Sequence, residues 1–249
     1  MKTLSLVIPV YNAPDLARAT LPHIPELAAC AADCGFELVE AIFVDDGSEP
    51  PLQFEHPTER QGGGALPTEM PPATVARAPS PLPTCTLRTL RQPQNRGKGA
   101  AVRRGALEAK GDWVLMSDVD LSAPLTEFAR LAPQADAWMV CGSRYGRAGM
   151  PLRRRILSRL FHALVWLVGV RGIQDTQCGF KLFRMEKMRP IFEAQRIERF
   201  SFDVELVRRV LRAGGTVVEA SVNWHGGKRS SLRVLRDAPR MLWDLLRTC

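Results

Sequence analysis

The most informative stretch of this chain is Trp113-Val-Leu-Met-Ser117, which is followed by Asp118-Val119-Asp120. The apolar run predicts a buried strand, and two carboxylates follow its end directly. Alternate residues of an extended chain share a face, so both carboxylates can be directed at one point. Such oxygen ligands suit Mg²⁺ or Mn²⁺, which also bind substrate phosphates. A turn in which the two acids cap the next helix is the alternative interpretation.

Polar residues close the other predicted strands in the same way. Helices predicted over 15–34 and 97–110 alternate with these strands, which indicates an α/β fold with a mainly parallel sheet flanked by helices. Asp15 is the predicted N-cap of the first helix, and Pro22 and Pro25 favour a break in it. In such sheets, ligands bind beyond the carboxyl ends of the strands. The predicted strands are 4–10, closed by Tyr11 and Asn12; 37–44, closed by Asp45 and Asp46; 86–90; and 137–141, followed by Arg144.

The rest of the chain suggests a division into one domain and a terminal segment. Residues 1–224 are predicted to form a single domain, in which the Pro- and Gly-rich residues 49–84 are an insertion. That insertion is either a lid over an acceptor or a tolerated surface loop. Helices near 153–170 and 203–212 and a strand over 216–222 complete the domain. Residues 225–249 are predicted to be a basic amphipathic segment.

Composition narrows the functional classes. The 249 residues are 45% hydrophobic and 24% charged, which is typical of a soluble globular protein. The formal net charge of +8 suits nucleic acid, anionic lipid or phosphorylated ligands. No apolar run reaches the roughly 20 residues that span a bilayer, so any membrane contact should be peripheral. The chain opens on a strand without a secretory pattern, and its six cysteines form no CxxC pair, so reduced thiols and a cytoplasmic location are expected.

Two further loops are candidates for ligand binding. Residues 45–48, Asp-Asp-Gly-Ser, form either a simple turn or an acidic group that accepts hydrogen bonds from a base or ribose. Residues 95–99, Asn-Arg-Gly-Lys-Gly, resemble a phosphate-binding loop at a helix start, or a basic helix N-terminus. The second loop lacks the upstream glycine and the Ser/Thr of a Walker A motif, which disfavours a kinase or ATPase.

Taken in order, these motifs resemble glycosyltransferase family 2. Within the family they are most similar to the dolichyl- or polyprenyl-phosphate hexose synthases, and to the β-glucosyltransferases more than the mannosyltransferases. The resemblance covers the chain apart from about residues 49–84. The motifs are PVYN (9–12), VDDGS (44–48), NRGKGAAVRRG (95–105), SDVD (117–120), GSR (142–144), DTQCGFKLF (175–183), ERFSFDVEL (198–206) and VNW (222–224).

The resemblance implies a GT-A fold and an inverting, metal-dependent hexosyltransferase that uses Mg²⁺ or Mn²⁺. Ala13 stands where the family has Glu, and Ser231 where it has Lys, so Lys228 or Arg229 would have to replace that lysine. The nucleotide-sugar is expected to contact Pro9, Tyr11, Asn12, Asp45, Asp46, Gly97, Lys98 and Asp118. Asp118 and Asp120 are the expected metal ligands, Asp120, Arg144 and Lys228 the expected catalytic residues, and Arg153, Arg154, Lys228, Arg229 and Ser230 the expected site of the acceptor phosphate.

The expected reaction is transfer of a hexose, with glucose from UDP-glucose preferred, to a polyprenyl or dolichyl phosphate at the cytoplasmic membrane face. The expected partners are therefore the nucleotide-sugar, the lipid phosphate and the membrane surface. GDP-mannose as donor, a different acceptor, or a non-catalytic nucleotide-sugar binder are alternatives. Nucleic acid is not an expected partner, because the few aromatic residues are not interleaved with the basic ones.

Two basic and apolar segments are candidates for membrane contact. Residues 232–247 alternate leucines and arginines at helical spacing, and residues 153–167 combine an arginine run with an apolar stretch. An interfacial helix with arginines toward anionic headgroups fits this pattern. A terminal helix that packs its apolar stripe on the core fits the first segment equally well.

Overall fold

Seven strands form one sheet in the computed structural model, which describes residues 1–54, 85–144, 170 and 172–225. The order across the sheet of the described residues is β3-β2-β1-β4-β6-β5-β7. The strands are β1 (Lys2–Val10), β2 (Phe36–Asp45), β3 (Thr86–Arg91), β4 (Trp113–Ser117), β5 (Met139–Ser143), β6 (Phe180–Arg184) and β7 (Val217–Ser221).

Every described strand except β6 runs in the same direction. Strand β1 is parallel to β2 and β4, β2 to β3, and β5 to β7, whereas β6 is antiparallel to both β4 and β5. The carboxyl ends of the six parallel strands therefore share one edge, and β6 begins there, since Phe180 pairs with Ser117. The prediction of an α/β fold with a mainly parallel sheet is confirmed.

Helices cover both faces of this sheet. The predicted break in the first helix is confirmed, because a short 3-10 turn at Leu21–His23 separates α1 from α2. The prediction of Asp15 as N-cap is wrong: Ala13 occupies that position, and Pro14 fills the first turn, where its missing N–H leaves no hydrogen bond unmade. The helices are α1 (Pro14–Thr20), α2 (Ile24–Asp33), α3 (Lys98–Glu108), α4 (Phe128–Leu131), α5 (Met185–Glu193) and α6 (Phe202–Arg212).

Side-chain alternation along the strands divides the core into two layers. In β1, Leu4, Leu6 and Ile8 face the layer that includes residues of α2 and α4, while Val7 faces the layer that includes residues of α3, α5 and α6. All four of these strand side chains are fully buried. A two-residue period on a strand covered on both faces requires this near-continuous apolar sequence.

Several predicted features lie outside the described residues. These are most of the insertion at 49–84, the helix near 153–170 and the segment at 225–249, of which only residue 225 is described. Within the described residues, no helix is both long and apolar enough to cross a bilayer. The single-domain boundary at residue 224 remains a prediction.

Candidate active site

The loops after β1 and β2 are joined to each other by Asn12. Its backbone N–H donates to Ser48 Oγ at 2.9 Å, and its side-chain oxygen accepts from the Glu49 N–H at 2.9 Å. Asn12 adopts a left-handed φ of 48°, a conformation that asparagine tolerates better than most residues. Its neighbour Tyr11 is 51% exposed at the edge of the sheet. Asn12 thus holds the loop that presents Tyr11.

Asp45 serves the loop that it begins. One carboxylate oxygen accepts from the Ser48 N–H at 2.8 Å, and the other accepts from the Leu52 N–H at 3.0 Å and from Arg91 at 3.1 Å. Asp45 is fully buried. Both oxygens therefore have partners in the chain, which gives Asp45 an architectural role beside its predicted contact with the nucleotide.

Asp46 fixes the loop that leads into α3. Its carboxylate accepts from the backbone N–H groups of Arg96 and Gly97, each at 2.8 Å, and from the side chains of Gln92 and Asn95 at 2.8 and 3.0 Å. Burial raises the pKa of Asp46, while the two backbone hydrogen bonds lower it; the net direction is upward. The loop at residues 95–99 is predicted to bind phosphate. Two of its backbone N–H groups already donate to the carboxylate of Asp46.

The backbone at Gly97 requires glycine. Its φ of 115° lies in the region that side chains rarely adopt, and an added Cβ would lie 2.6 Å from the carbonyl oxygen of Glu198. That segment also accepts a hydrogen bond from the Ala100 N–H at 2.9 Å. The start of α3 is therefore anchored by Asp46 on one side and by residue 198 on the other, which places Lys98 at the sheet edge.

Asp118 and Lys98 form an ion pair at this edge. Lys98 Nζ lies 2.6 Å from Asp118 Oδ1, and the two side chains are 19% and 38% exposed. Gly179 packs against the same carboxylate, since an added Cβ would lie 1.8 Å from Asp118 Oδ2. The Asp118 N–H also donates to the Gly179 carbonyl at 3.0 Å. A residue with a side chain at position 179 would displace Asp118.

Asp120 follows in a tight turn. Its Oδ1 accepts from the Ser122 N–H at 3.0 Å, and the Leu121 N–H donates to the Asp118 carbonyl at 3.1 Å. Leu121 has a left-handed φ of 47°, which folds the chain back after β4. Among the described residues, no cation forms an ion pair with Asp120.

Arg144 is held by a carboxylate that the sequence analysis did not assign. Its guanidinium makes two hydrogen bonds of 2.7 Å to the two oxygens of Asp175, and its N–H makes a third of 3.0 Å. Glu219 in turn accepts from the Gln174 and Asp175 N–H groups at 2.8 and 2.7 Å. The guanidinium also lies over the ring of Trp224, 5.4 Å from its centroid.

The opposite charges of Arg144 and Asp175 keep both side chains ionised. Burial alone would raise the pKa of Asp175, but the hydrogen bonds and the charge of Arg144 bring it below its usual value. Burial alone would lower the pKa of Arg144, but Asp175 raises it above its usual range, and the charge of Asp118 acts in the same direction. Both members of the pair are therefore charged near neutral pH, and Arg144 lies close enough to Asp118 for their charges to interact.

A second buried ion pair lies beneath the edge. Lys181 Nζ is 2.8 Å from Asp203 Oδ1 and also donates to the Cys178 carbonyl, and Lys181 is completely buried. Burial lowers the pKa of Lys181, but the charge of Asp203 outweighs it and raises the pKa to about 12. Asp203 thus neutralises Lys181. Glu205, the other acid of its helix, accepts from the Arg196 and Ile197 N–H groups and holds that loop.

The predicted nucleotide and metal residues share one edge of the sheet. Pro9 is half-buried in β1 and pairs with Val44, and the aligned pairs Val10–Asp45 and Asp45–Arg91 bring the ends of three strands together. A concavity of about 330 Å³ lies elsewhere, between α5 and α6, and includes Arg208 and Arg212 in its lining but no predicted site residue. The sheet edge is the better candidate, because Lys98 and Asp118 form an ion pair there and Asp46 holds the N–H of Gly97, the residue before Lys98.

The residues expected to bind the acceptor phosphate lie outside the described part of the chain. They are Arg153, Arg154, Lys228, Arg229 and Ser230. The described residue nearest in sequence to the last three of these is His225, whose N–H donates to the Ser122 carbonyl at 2.7 Å.

The carboxylates after β4 fit a divalent cation. Among the described residues, no group of three or more His, Cys, Asp or Glu side chains is arranged to hold a metal by itself. Mg²⁺ and Mn²⁺ do not need one, since they bind through one or two carboxylates and complete their shell with water and substrate phosphates. Asp118 and Asp120 supply oxygen ligands of this kind beside Lys98.

The sequence analysis missed the residues that support this site. Asp175, Gly179 and Lys181 all lie in the motif at 175–183, which was recognised as a unit without a role for any member. The available signals were a charged Lys181 inside an otherwise apolar strand and a glycine next to that strand. Their partners, Asp203 and Asp118, are 22 and 61 residues away in the sequence, so only the fold identifies them.

Comparison with known proteins places the chain in a family. Residues 84–192 match the model of glycosyl transferase family 2. The dolichyl-phosphate beta-glucosyltransferase of Dictyostelium discoideum is 31% identical over 260 residues, covering 98% of this chain and 73% of that protein. The dolichyl-phosphate beta-glucosyltransferase of Homo sapiens is 34% identical over 243 residues, covering 90% of this chain and 67% of that protein.

The solved structures agree on the fold. Glucosyl-3-phosphoglycerate synthase from Mycobacterium tuberculosis, in complex with Mn²⁺, UDP-glucose and glycerol 3-phosphate, superposes with a TM-score of 0.62 at 17% identity. The match covers 99% of this chain and 78% of that one. The predicted GT-A fold is confirmed. With the sequence relatives, these comparisons show that the chain belongs to glycosyl transferase family 2, as a relative of the dolichyl-phosphate beta-glucosyltransferases.

Proposed function

We propose that this chain transfers glucose from UDP-glucose to dolichyl phosphate, or to a related polyprenyl phosphate, at the cytoplasmic face of a membrane. The observation that carries the proposal is the match to a dolichyl-phosphate beta-glucosyltransferase over 98% of the chain. The acidic pair after β4, with Lys98 and Arg144 nearby, supports it. These groups provide the charges that a nucleotide diphosphate requires.

Asp118 and Asp120 would hold Mg²⁺ or Mn²⁺. When bound, the metal supplies Lewis-acid stabilisation of the departing diphosphate. Arg144 is kept charged and oriented by Asp175, which suits it to reduce repulsion between the phosphates of donor and acceptor. Tyr11, which is exposed at the same edge of the sheet, is a proposed contact of the nucleotide.

The acceptor requires little activation. A phosphomonoester has a second pKa near 6, so it is largely dianionic at neutral pH and needs no strong general base. One of its oxygens forms a bond to the anomeric carbon of glucose from the side opposite the leaving group. The bond from that carbon to the diphosphate breaks, UDP leaves with the electron pair, and the configuration inverts. Lys228, Arg229, Arg153 and Arg154 are the proposed partners of the acceptor phosphate.

A reconstituted reaction tests this proposal. The purified chain is incubated with UDP-glucose, Mn²⁺ or Mg²⁺ and dolichyl phosphate in detergent, and the glycolipid is quantified by mass spectrometry. Asp120→Asn should reduce product formation at least 100-fold, because it removes a metal ligand charge while its amide oxygen can still accept from the Ser122 N–H. Asp15→Asn is the matched control, since the Asp15 side chain is 96% exposed on α1.

The outcomes separate the alternatives. Glycolipid from UDP-glucose that is lost in Asp120→Asn and kept in Asp15→Asn supports the proposal. Product formed from GDP-mannose but not from UDP-glucose would show that GDP-mannose, and not UDP-glucose, is the donor. Binding of UDP-glucose without transfer to any lipid phosphate would make the chain a non-catalytic nucleotide-sugar binder, which the Ala13 and Ser231 substitutions also suggest.

A further inference from the structure

Both members of the ion pair between Lys98 and Asp118 are anchored independently. Asp118 cannot retreat, because its N–H is bonded to the Gly179 carbonyl and its carboxylate packs against the same glycine. Lys98 begins α3 directly after Gly97, whose N–H is bonded to Asp46 at 2.8 Å. The fold therefore places an ammonium group 2.6 Å from the first carboxylate of the acidic pair.

The charge of Lys98 also acts on a second, buried carboxylate, that of Asp203. Burial raises the pKa of Asp203; the charges of Lys181 and Lys98 lower it, and the charge of Asp118 raises it. The net direction for the pKa of Asp203 is upward, and the charges of Lys98 and Lys181 both counteract it. Removal of Lys98 would leave Asp118 without its paired cation, and it would increase the negative potential at the edge.

This arrangement opposes a divalent cation that arrives alone. A metal ion on Asp118 would compete with Lys98 for the same carboxylate and would be repelled by its charge. A nucleotide diphosphate changes the balance, because it offers anionic oxygens to both the metal and the ammonium group. The flexible four-carbon stem of lysine allows the head group to change partners while the backbone stays in place.

We propose that Lys98 is a resident counter-ion of Asp118, which the donor diphosphate draws away when the metal takes its place. The free chain then binds metal weakly, and metal and donor bind cooperatively. This inference rests on the proposed function, since it requires a diphosphate donor at the sheet edge. It assigns Lys98 a role in coupling the two ligands, beyond contact with the nucleotide.

Metal and nucleotide binding test the inference without turnover. The probes are Mn²⁺, followed by electron paramagnetic resonance of the free ion, and UDP, followed by calorimetry, with correction for the Mn²⁺–UDP complex in solution. In the wild type, UDP should increase the affinity for Mn²⁺ at least tenfold, and Mn²⁺ should increase the affinity for UDP by the same factor. In Lys98→Met, Mn²⁺ alone should bind at least threefold more tightly, and the mutual enhancement should fall at least threefold.

Two variants serve as controls. Lys98→Arg keeps the positive charge and should retain most of the coupling, so it also tests the inference if Lys98→Met folds poorly. Lys187→Met removes a lysine that pairs with Glu186 away from the site, and it should bind both ligands as the wild type does. Thermal melting checks that each variant is folded.

Failure of the inference differs from failure of the proposed function. A wild type that binds neither UDP nor UDP-glucose would remove the proposed function and this inference together. A wild type that binds both ligands independently would overturn the inference alone. So would a folded Lys98→Met variant with unchanged Mn²⁺ affinity and unchanged enhancement.

Discussion

Asp175 fixes the position of Arg144 through three hydrogen bonds, two to the guanidinium and one to the backbone N–H. Asp175→Asn should destabilise the chain by about 3 kcal/mol at pH 7, because it leaves the largely buried charge of Arg144 with a neutral partner. The pKa of Asp175 is lowered in the folded state. Its stabilising effect is therefore present above its unfolded pKa of about 3.9 and is lost as pH falls through the lower folded value. Urea unfolding at a series of pH values measures the difference between the two proteins.

The expected difference is constant from neutral pH to about pH 5 and shrinks below about pH 4. Asp15→Asn is the control, since its ion pair with Arg18 is exposed and should contribute less than about 0.5 kcal/mol at any pH. A difference for Asp175→Asn that stays constant in acid, or grows there, would contradict the ionic account of the pair.

At this scale the sequence identifies residues more readily than it identifies their partners. Asp118 and Asp120 are recognisable because an apolar strand precedes them, and Asp46 because it closes another strand. The sequence does not reveal that Asp45 binds its own loop and Arg91 of β3 while Asp46 anchors the start of α3, since the two acids are adjacent and chemically identical. That distinction depends on which face of the turn each side chain occupies.

Helix α3 packs so closely on the sheet that one of its residues cannot carry a side chain. An added Cβ at Gly105 would lie 2.5 Å from Val7 Cγ1 and 2.9 Å from Val44 Cγ2. Gly105→Ala gains about 1 kcal/mol of helix propensity but overpacks the core, which typically costs about 1–3 kcal/mol. Since both valines belong to buried strands, we expect a net loss of about 1 kcal/mol in the free energy of unfolding, measured in urea.

A second substitution tests the cause. Val7→Ala removes the methyl group nearest to the new Cβ, so the double variant should lose less stability than the sum of the two single variants. A coupling energy of at least about 0.5 kcal/mol is expected for residues in direct contact. Strict additivity, or a Gly105→Ala variant more stable than the wild type, would show that α3 can shift away from the sheet at no cost.

Most strands are predictable because their apolar runs are regular and end in turn residues. Where a charged residue interrupts such a run, the sequence no longer predicts the strand. Strands β1, β2, β4 and β5 were predicted because apolar runs end in turn residues. Strand β6 is not predicted, although its first four residues are buried, because Lys181 interrupts its apolar pattern. The charge is accommodated only by the distant Asp203. A strand that depends on a tertiary ion pair does not show in local periodicity.

Across the whole molecule, the motifs predict the site because the topology gathers strand ends. Six parallel strands finish at one edge, so loops that are separated by more than 30 residues become neighbours there. The predicted fold followed from the same pattern. The antiparallel direction of β6 does not follow from this pattern, because nothing in its own residues distinguishes a parallel strand from an antiparallel one. This reversal brings Gly179 and Asp175 to the edge where they support Asp118 and Arg144.

The net charge of +8 belongs to the whole chain and should govern the membrane contact that we propose for it. We expect the chain to cosediment with vesicles that contain about 30% phosphatidylserine but not with purely neutral vesicles, because each basic residue near an anionic surface contributes about 1 kcal/mol. Raising the salt from about 0.1 to 1 M shortens the Debye length from roughly 10 to 3 Å and should release the chain. Reversing Arg236 and Arg240 to Glu should weaken binding at least tenfold, whereas Arg18→Glu, on exposed α1, should change it less than threefold. Equal binding to neutral vesicles, or binding that survives high salt, would instead indicate attachment through apolar insertion.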